Sequence, residues 1–117
     1  MVVPMKRKSF SLCVLAFSAL FTGTADADGF AMGAGRWTCA DVLTVAKSGS
    51  PIEQGQVAGW ILGYWSAATT VRETAFVDTV EGVGGRGIFD ATLAECSKAP
   101  GDTILFKVAR SMVANTK

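Results

Sequence analysis

Residues 50–73 read SPIEQGQVAGWILGYWSAATTVRE, and this stretch decides the fold. Ser50 stands where a helix N-cap belongs, Pro51 at the first helical position and Glu53 three residues past the serine, which together form a capping box. Val57, Trp60, Ile61, Tyr64, Ala68 and Val71 then recur at helical spacing and make a wide apolar stripe. The pattern predicts a helix that starts at Ser50 and runs to about Glu73. Gly55, Gly59, Gly63 and Ala67 lie four apart beside the stripe. Each interior glycine costs a helix about 0.5–1 kcal/mol relative to alanine, so three on one face imply that a neighbouring backbone approaches closely there. Glu53, Gln54 and Gln56 interrupt the apolar run, which places that approach inside a soluble domain rather than a membrane.

Working outward, Thr38 caps a helix from Cys39 to about Lys47, with Asp41 in the first turn where the helix dipole favours a carboxylate. Ser48-Gly49-Ser50-Pro51 stops it. Residues 28–36, DGFAMGAGR, read as a loose arm. On the other side, residues 76–86, FVDTVEGVGGR, break helical periodicity, and Gly82, Gly84, Gly85 and Gly87 invite a loop. Gly84-Gly85-Arg86-Gly87 lacks the lysine and Ser/Thr pair of a phosphate-binding loop. A helix over residues 88–98 follows, with Phe89, Leu93 and Cys96 on one face. Ala99-Pro100-Gly101 ends it. Asp102 or Thr103 then caps a last helix through about Ala114, with Ile104, Leu105, Val108, Met112 and Val113 apolar. The expected fold is all-α, a small four-helix domain.

Residues 1–27 read as a secretory signal peptide. Lys6, Arg7 and Lys8 form a positive start, residues 10–21 an apolar run of about a dozen residues, and Ala25-Asp26-Ala27 a cleavage site, so residues 28–117 form the expected mature domain in the periplasm. The chain carries 11 basic and 10 acidic residues; removing Lys6, Arg7, Lys8 and Asp26 leaves 8 and 9, a net charge of −1. That balance offers no basic footprint for nucleic acid, and no later segment is apolar enough to be a membrane span.

Cys13 falls in the apolar run, which leaves Cys39 and Cys96. An oxidising compartment favours one disulfide between them. Two isolated cysteines without a single histidine make no zinc ligand set. The absence of histidine also removes the commonest general base. Ser66 and Ser111 lack a nucleophile elbow, and no pairing of the mature carboxylates suggests a glycosidase. The expectation is a non-enzymatic protein without cofactor or metal.

Trp37-Thr38-Cys39-Ala40-Asp41-Val42-Leu43 resembles the W-T-C-x-D-hydrophobic-L opening of the HdeA/HdeB family of small periplasmic acid-stress chaperones. The placement of Cys96 before a short polar stretch and a final helix is similar too, as is Trp60-Ile61-Leu62-Gly63-Tyr64 to a helix in exported relatives of that group. The resemblance implies a four-helix domain, dimeric near neutral pH, that opens in acid and holds unfolding periplasmic proteins on apolar surface. Trp37, Trp60, Tyr64, Trp65, Phe76, Phe89 and Phe106 are the candidate client- or partner-binding residues. The segment after Phe106 carries only Lys107, Arg110 and Lys117, fewer cations than those chaperones have near their ends. Residues 59–67 also loosely resemble a helix of the small exported immunity proteins of type VI secretion systems. That likeness implies the alternative of a module binding one specific partner, a secreted cell-wall-degrading toxin, through the glycine-rich segment 82–87.

Overall fold

The computed structural model describes residues 29–117; the expected signal peptide, its cleavage site and Cys13 lie outside the described residues. A 3₁₀ turn, Gly33–Arg36, precedes four helices: α1 Cys39–Ser48, α2 Pro51–Thr69, α3 Thr74–Lys98 and α4 Leu105–Asn115. Among the described residues the only β pairing is an isolated antiparallel bridge between Thr38 and Ile104. No helix among them is long and apolar enough to cross a membrane.

The local start signals operate as their chemistry requires. Thr38 Oγ1 accepts from the Asp41 amide at 3.2 Å, which satisfies one of the orphan donors of α1. Ser50 Oγ accepts from the Glu53 amide while Glu53 Oε1 accepts from the Ser50 amide, both at 3.2 Å. Two further amides at the start of α1 find partners across the fold. Cys39 N–H donates to Thr103 O at 2.7 Å and Ala40 N–H to Gly101 O at 3.1 Å, while Leu105 N–H donates back to Trp37 O at 2.9 Å. The start of α1 is thereby zipped to the link between α3 and α4.

Cys39 and Cys96 are disulfide-bonded, their Cα atoms 5.2 Å apart and both residues buried. The bond closes a covalent ring over a separation of 57 residues that contains α1, α2 and nearly all of α3. The 3₁₀ turn and α4 lie outside the ring. Val42, Val57, Ile61, Trp65, Phe76, Ile88 and Leu105 fill the core between them. One buried hydroxyl sits among these side chains: Thr92 Oγ1 accepts from Trp65 Nε1 at 3.2 Å and donates to Ile88 O at 2.8 Å, so its polar atom is fully engaged.

Four expectations need correction. α2 ends at Thr69, because Thr69 and Thr70 turn their hydroxyls back onto Ser66 O and Ala67 O at 2.6 Å; Val71, assigned to the apolar stripe, is 81% exposed. Residues 76–86 are helical rather than a loop. α3 runs through them and is broken only at Gly84, whose φ of 77° and ψ of 166° suit glycine alone. The N-cap of α4 is Ile104 instead of Asp102 or Thr103, since the bridge to Thr38 holds Ile104 extended. Residues 33–36 form an ordered turn with Ala34 and Gly35 buried, in place of the end of a loose arm.

The chain-entropy estimate for a loop of this length is about 4 kcal/mol. The C39A/C96A double variant is therefore expected to lose about that much stability, a large share of the ~5–15 kcal/mol typical of a domain, measurable by urea unfolding at neutral pH.

Candidate functional site

The seven candidate aromatic residues separate into three places. Trp60 and Tyr64, one turn apart on α2, stack with ring centroids 5.2 Å apart, and Phe106 of α4 meets both edge-on at 6.4 and 5.8 Å. This trio is half-buried. Burial pushes the Tyr64 hydroxyl above its usual range, and the charge of Arg110 partly offsets this. Trp60 covers Gly35 so closely that a Cβ there would overlap the indole ring. Trp65 and Phe76 form a second place inside the core, stacked at 6.1 Å with their planes 5° apart. Trp37 and Phe89 pack separately against the core edge.

Over the Trp65–Phe76 stack sits Arg72, in the turn between α2 and α3. Its guanidinium carbon lies 4.3 Å from the centroid of the Phe76 ring, a cation–π arrangement. Nε and Nη2 each donate to Glu73 at 3.0 Å as a bidentate fork. The remaining donors reach the end of α4: Nη1 to Val113 O at 2.6 Å and Nη2 to Thr116 O at 2.9 Å. α4 has no basic residue in its own last turn, so Arg72 supplies from another element the cation that the negative end of the helix dipole favours. Glu73 is the N-cap of α3 but makes no side-chain cap bond, its carboxylate being turned to Arg72. The Arg72 hydrogen bonds hold the Glu73 carboxyl below its usual range, with a further contribution from its own backbone amide. A depressed carboxyl stabilises the fold above its unfolded pKa of about 4.3 and loses that contribution as pH falls through the folded value. Neither Arg72 nor Glu73 carries a periodic signal, and the sequence reading placed both inside a helix.

The third feature is the glycine face of α2. The sequence implied that a backbone packs against Gly55, Gly59 and Gly63; instead a Cβ at any of the three would meet nothing within 4 Å. The face is open and apolar, with Ile52 76% exposed near its start and Leu62 beside Gly63. It leads into a groove of about 260 Å³ at the break in α3, lined by Leu62, Trp65, Ser66, Val80, Gly84 and Ile88. Ser66 and Thr69 add hydroxyls to its lining, and Glu81 is its single carboxylate. Among the described residues no group of three or more His, Cys, Asp or Glu side chains is placed to hold a metal ion.

No family model, curated protein or solved structure matches this chain.

Gly35 and Gly59 are expected to respond to alanine with opposite signs. G35A forces Trp60 aside and costs about 1–3 kcal/mol, whereas G59A raises stability by about 0.5–1 kcal/mol because it removes a helix penalty and meets no neighbour. Thermal unfolding of the two variants followed by circular dichroism measures both.

Proposed function

We propose that this chain acts without covalent chemistry, as an exported holdase that opens in acid and presents apolar surface to unfolding proteins. The observation that carries the reading is the division of the fold by its disulfide. α1, α2 and α3 are held in one covalent ring, whereas α4 closes over the core through apolar packing, backbone bonds at its start and the Arg72–Glu73 pair at its end. Opening at α4 withdraws Leu105, Val108, Met112 and Val113 from the core and parts Phe106 from Trp60 and Tyr64, and the ring prevents complete unravelling. The resemblance of residues 37–43 to the HdeA/HdeB opening supports the same reading. So does the charge of the expected mature chain, which moves from −1 towards +8 on side chains alone when its nine carboxylates protonate. Repulsion among the remaining cations then loosens the packed state.

The glycine face of α2 favours a second reading, a module that docks one specific protein. Three interior glycines weaken α2, and among the described residues nothing lies within 4 Å of where their Cβ atoms would stand. A partner backbone seated there is the sequence expectation transferred to another molecule.

Two measurements separate these readings. At about pH 2–3, the holdase suppresses light scattering from an aggregating client at stoichiometric amounts; full aggregation in its presence rejects the first reading. At neutral pH, a specific module recovers one partner from periplasmic extract, and an L62R or G59R variant loses it. Recovery of that same partner undiminished by both variants rejects the glycine face as its seat.

A further inference from the structure

The Arg72 cluster has more connections than a surface ion pair requires. Its guanidinium is only partly accessible, with the side chain 24% exposed, and four of its donor contacts are accounted for by Glu73, Val113 and Thr116. Glu73 holds the side of the fork that carries Nε and Nη2, which aims Nη1 and the second Nη2 hydrogen at α4. Arg72 and Glu73 are adjacent in sequence, yet the carbonyls they control lie 41 and 44 residues further along the chain. Thr79 lies along the same seam, its one hydroxyl hydrogen facing Ala75 O of its own helix at 2.9 Å and Lys117 O at 3.2 Å.

We propose that Arg72 and Glu73 form an acid-released latch on the last turn of α4, whose opening lifts the guanidinium from Phe76 and frees that helix end before the covalent ring loses structure. The latch deepens the acid-opening reading and rests on it for its use in the cell. Protonation of Glu73 removes the charge-assisted fork and with it the partner that orients the guanidinium. Arg72 stays cationic across the whole acid range and then stands near α4 without a fixed direction. The hydrogen bond to Glu73 raises the Arg72 pKa above its ordinary value, and burial opposes it. The other charges around the seam are Asp78 on α3, Lys117 beyond α4 and Arg110 on α4; the last acts on Tyr64 of α2. Glu73 is thus the carboxylate through which acid reaches the latch, and Arg72 is a positioning residue that holds a helix end rather than a ligand.

Hydrogen exchange read by mass spectrometry, on the disulfide-intact chain, tests this. Rates are corrected for intrinsic chemical exchange and compared between residues 110–117 and the ring. In the wild type, protection of residues 110–117 falls as pH drops through the depressed range of Glu73, while α1 and the second arm of α3 stay protected. E73Q loses protection at residues 110–117 several-fold already at neutral pH, and its dependence on pH between about 5 and 2 flattens. R72K keeps the charge but lacks the fork and behaves like E73Q. Both changes sit at a partly exposed corner, and wild-type protection of α1 and residues 85–98 at neutral pH checks that the ring remains folded. Wild-type protection at residues 110–117 in both variants overturns the latch, as does simultaneous loss of α4 and the ring in the wild type. Client aggregation is scored separately: a latch that opens as described beside an inactive holdase rejects the proposed function and leaves the latch standing.

Discussion

The Cys39–Cys96 bond is the constraint on which the rest of the structure depends. It fixes the first residue of α1 to the last turns of α3 and closes the core from one end. Its placement is reinforced by backbone geometry. The amides of Cys39 and Ala40 donate to Thr103 and Gly101, so the same few residues that carry the sulfur also satisfy the exposed start of α1. A domain of this length has little apolar surface to bury, and a cross-link at this point reduces the freedom of the unfolded chain where packing alone is marginal. The Trp65–Phe76 stack, Thr92 and Ile61 then fill a space whose walls are already set.

Glycine serves opposite ends in this fold. Gly35 is required because Trp60 lies where its side chain would be, and Gly84 because its backbone adopts a conformation that side chains disfavour. Gly55, Gly59 and Gly63 satisfy neither condition, and they leave α2 weaker along a face where, among the described residues, an added Cβ meets nothing within 4 Å. A residue type that costs stability and has no local reason directs attention outward, to what the molecule meets. The half-buried trio of Trp60, Tyr64 and Phe106 differs, since its rings already contact one another and Gly35.

Legibility in the sequence followed distance along the chain. The Ser50 capping box and the Thr38 cap were readable because each bond spans three residues. The disulfide was readable because an expected export signal set Cys13 aside and counting then left one pairing. The helical character of residues 76–86 was obscured by glycines that suggest turns; tertiary packing of Phe76 and Ile88 on either side overrode their weak propensity everywhere except Gly84. Neither Trp65 nor Phe76 belongs to the stripe read from the sequence, which expected both at a client- or partner-binding surface, so neither their burial nor their stacking followed from it. The Arg72 contacts with Val113 and Thr116 were invisible, because they join a turn to a helix end more than forty residues away and no spacing rule reaches that far. The open side of α2 was misjudged for a related reason: sequence tells that a face is smooth, not which molecule, if any, lies against it.

The position of α4 outside the covalent ring gives it the standing of a ligand carried on a short cord. Residues 99–104 are the cord, themselves pinned to the start of α1, and the surface formed by α2, α3 and the 3₁₀ turn is the receptor. Docking is then an intramolecular event, set by the tether rather than by the amount of protein. Modest weakening of the contacts is enough to change the docked fraction, and restoring them brings the helix back without a search through the rest of the fold. A small domain built this way keeps its covalent frame intact whether the helix is docked or parted.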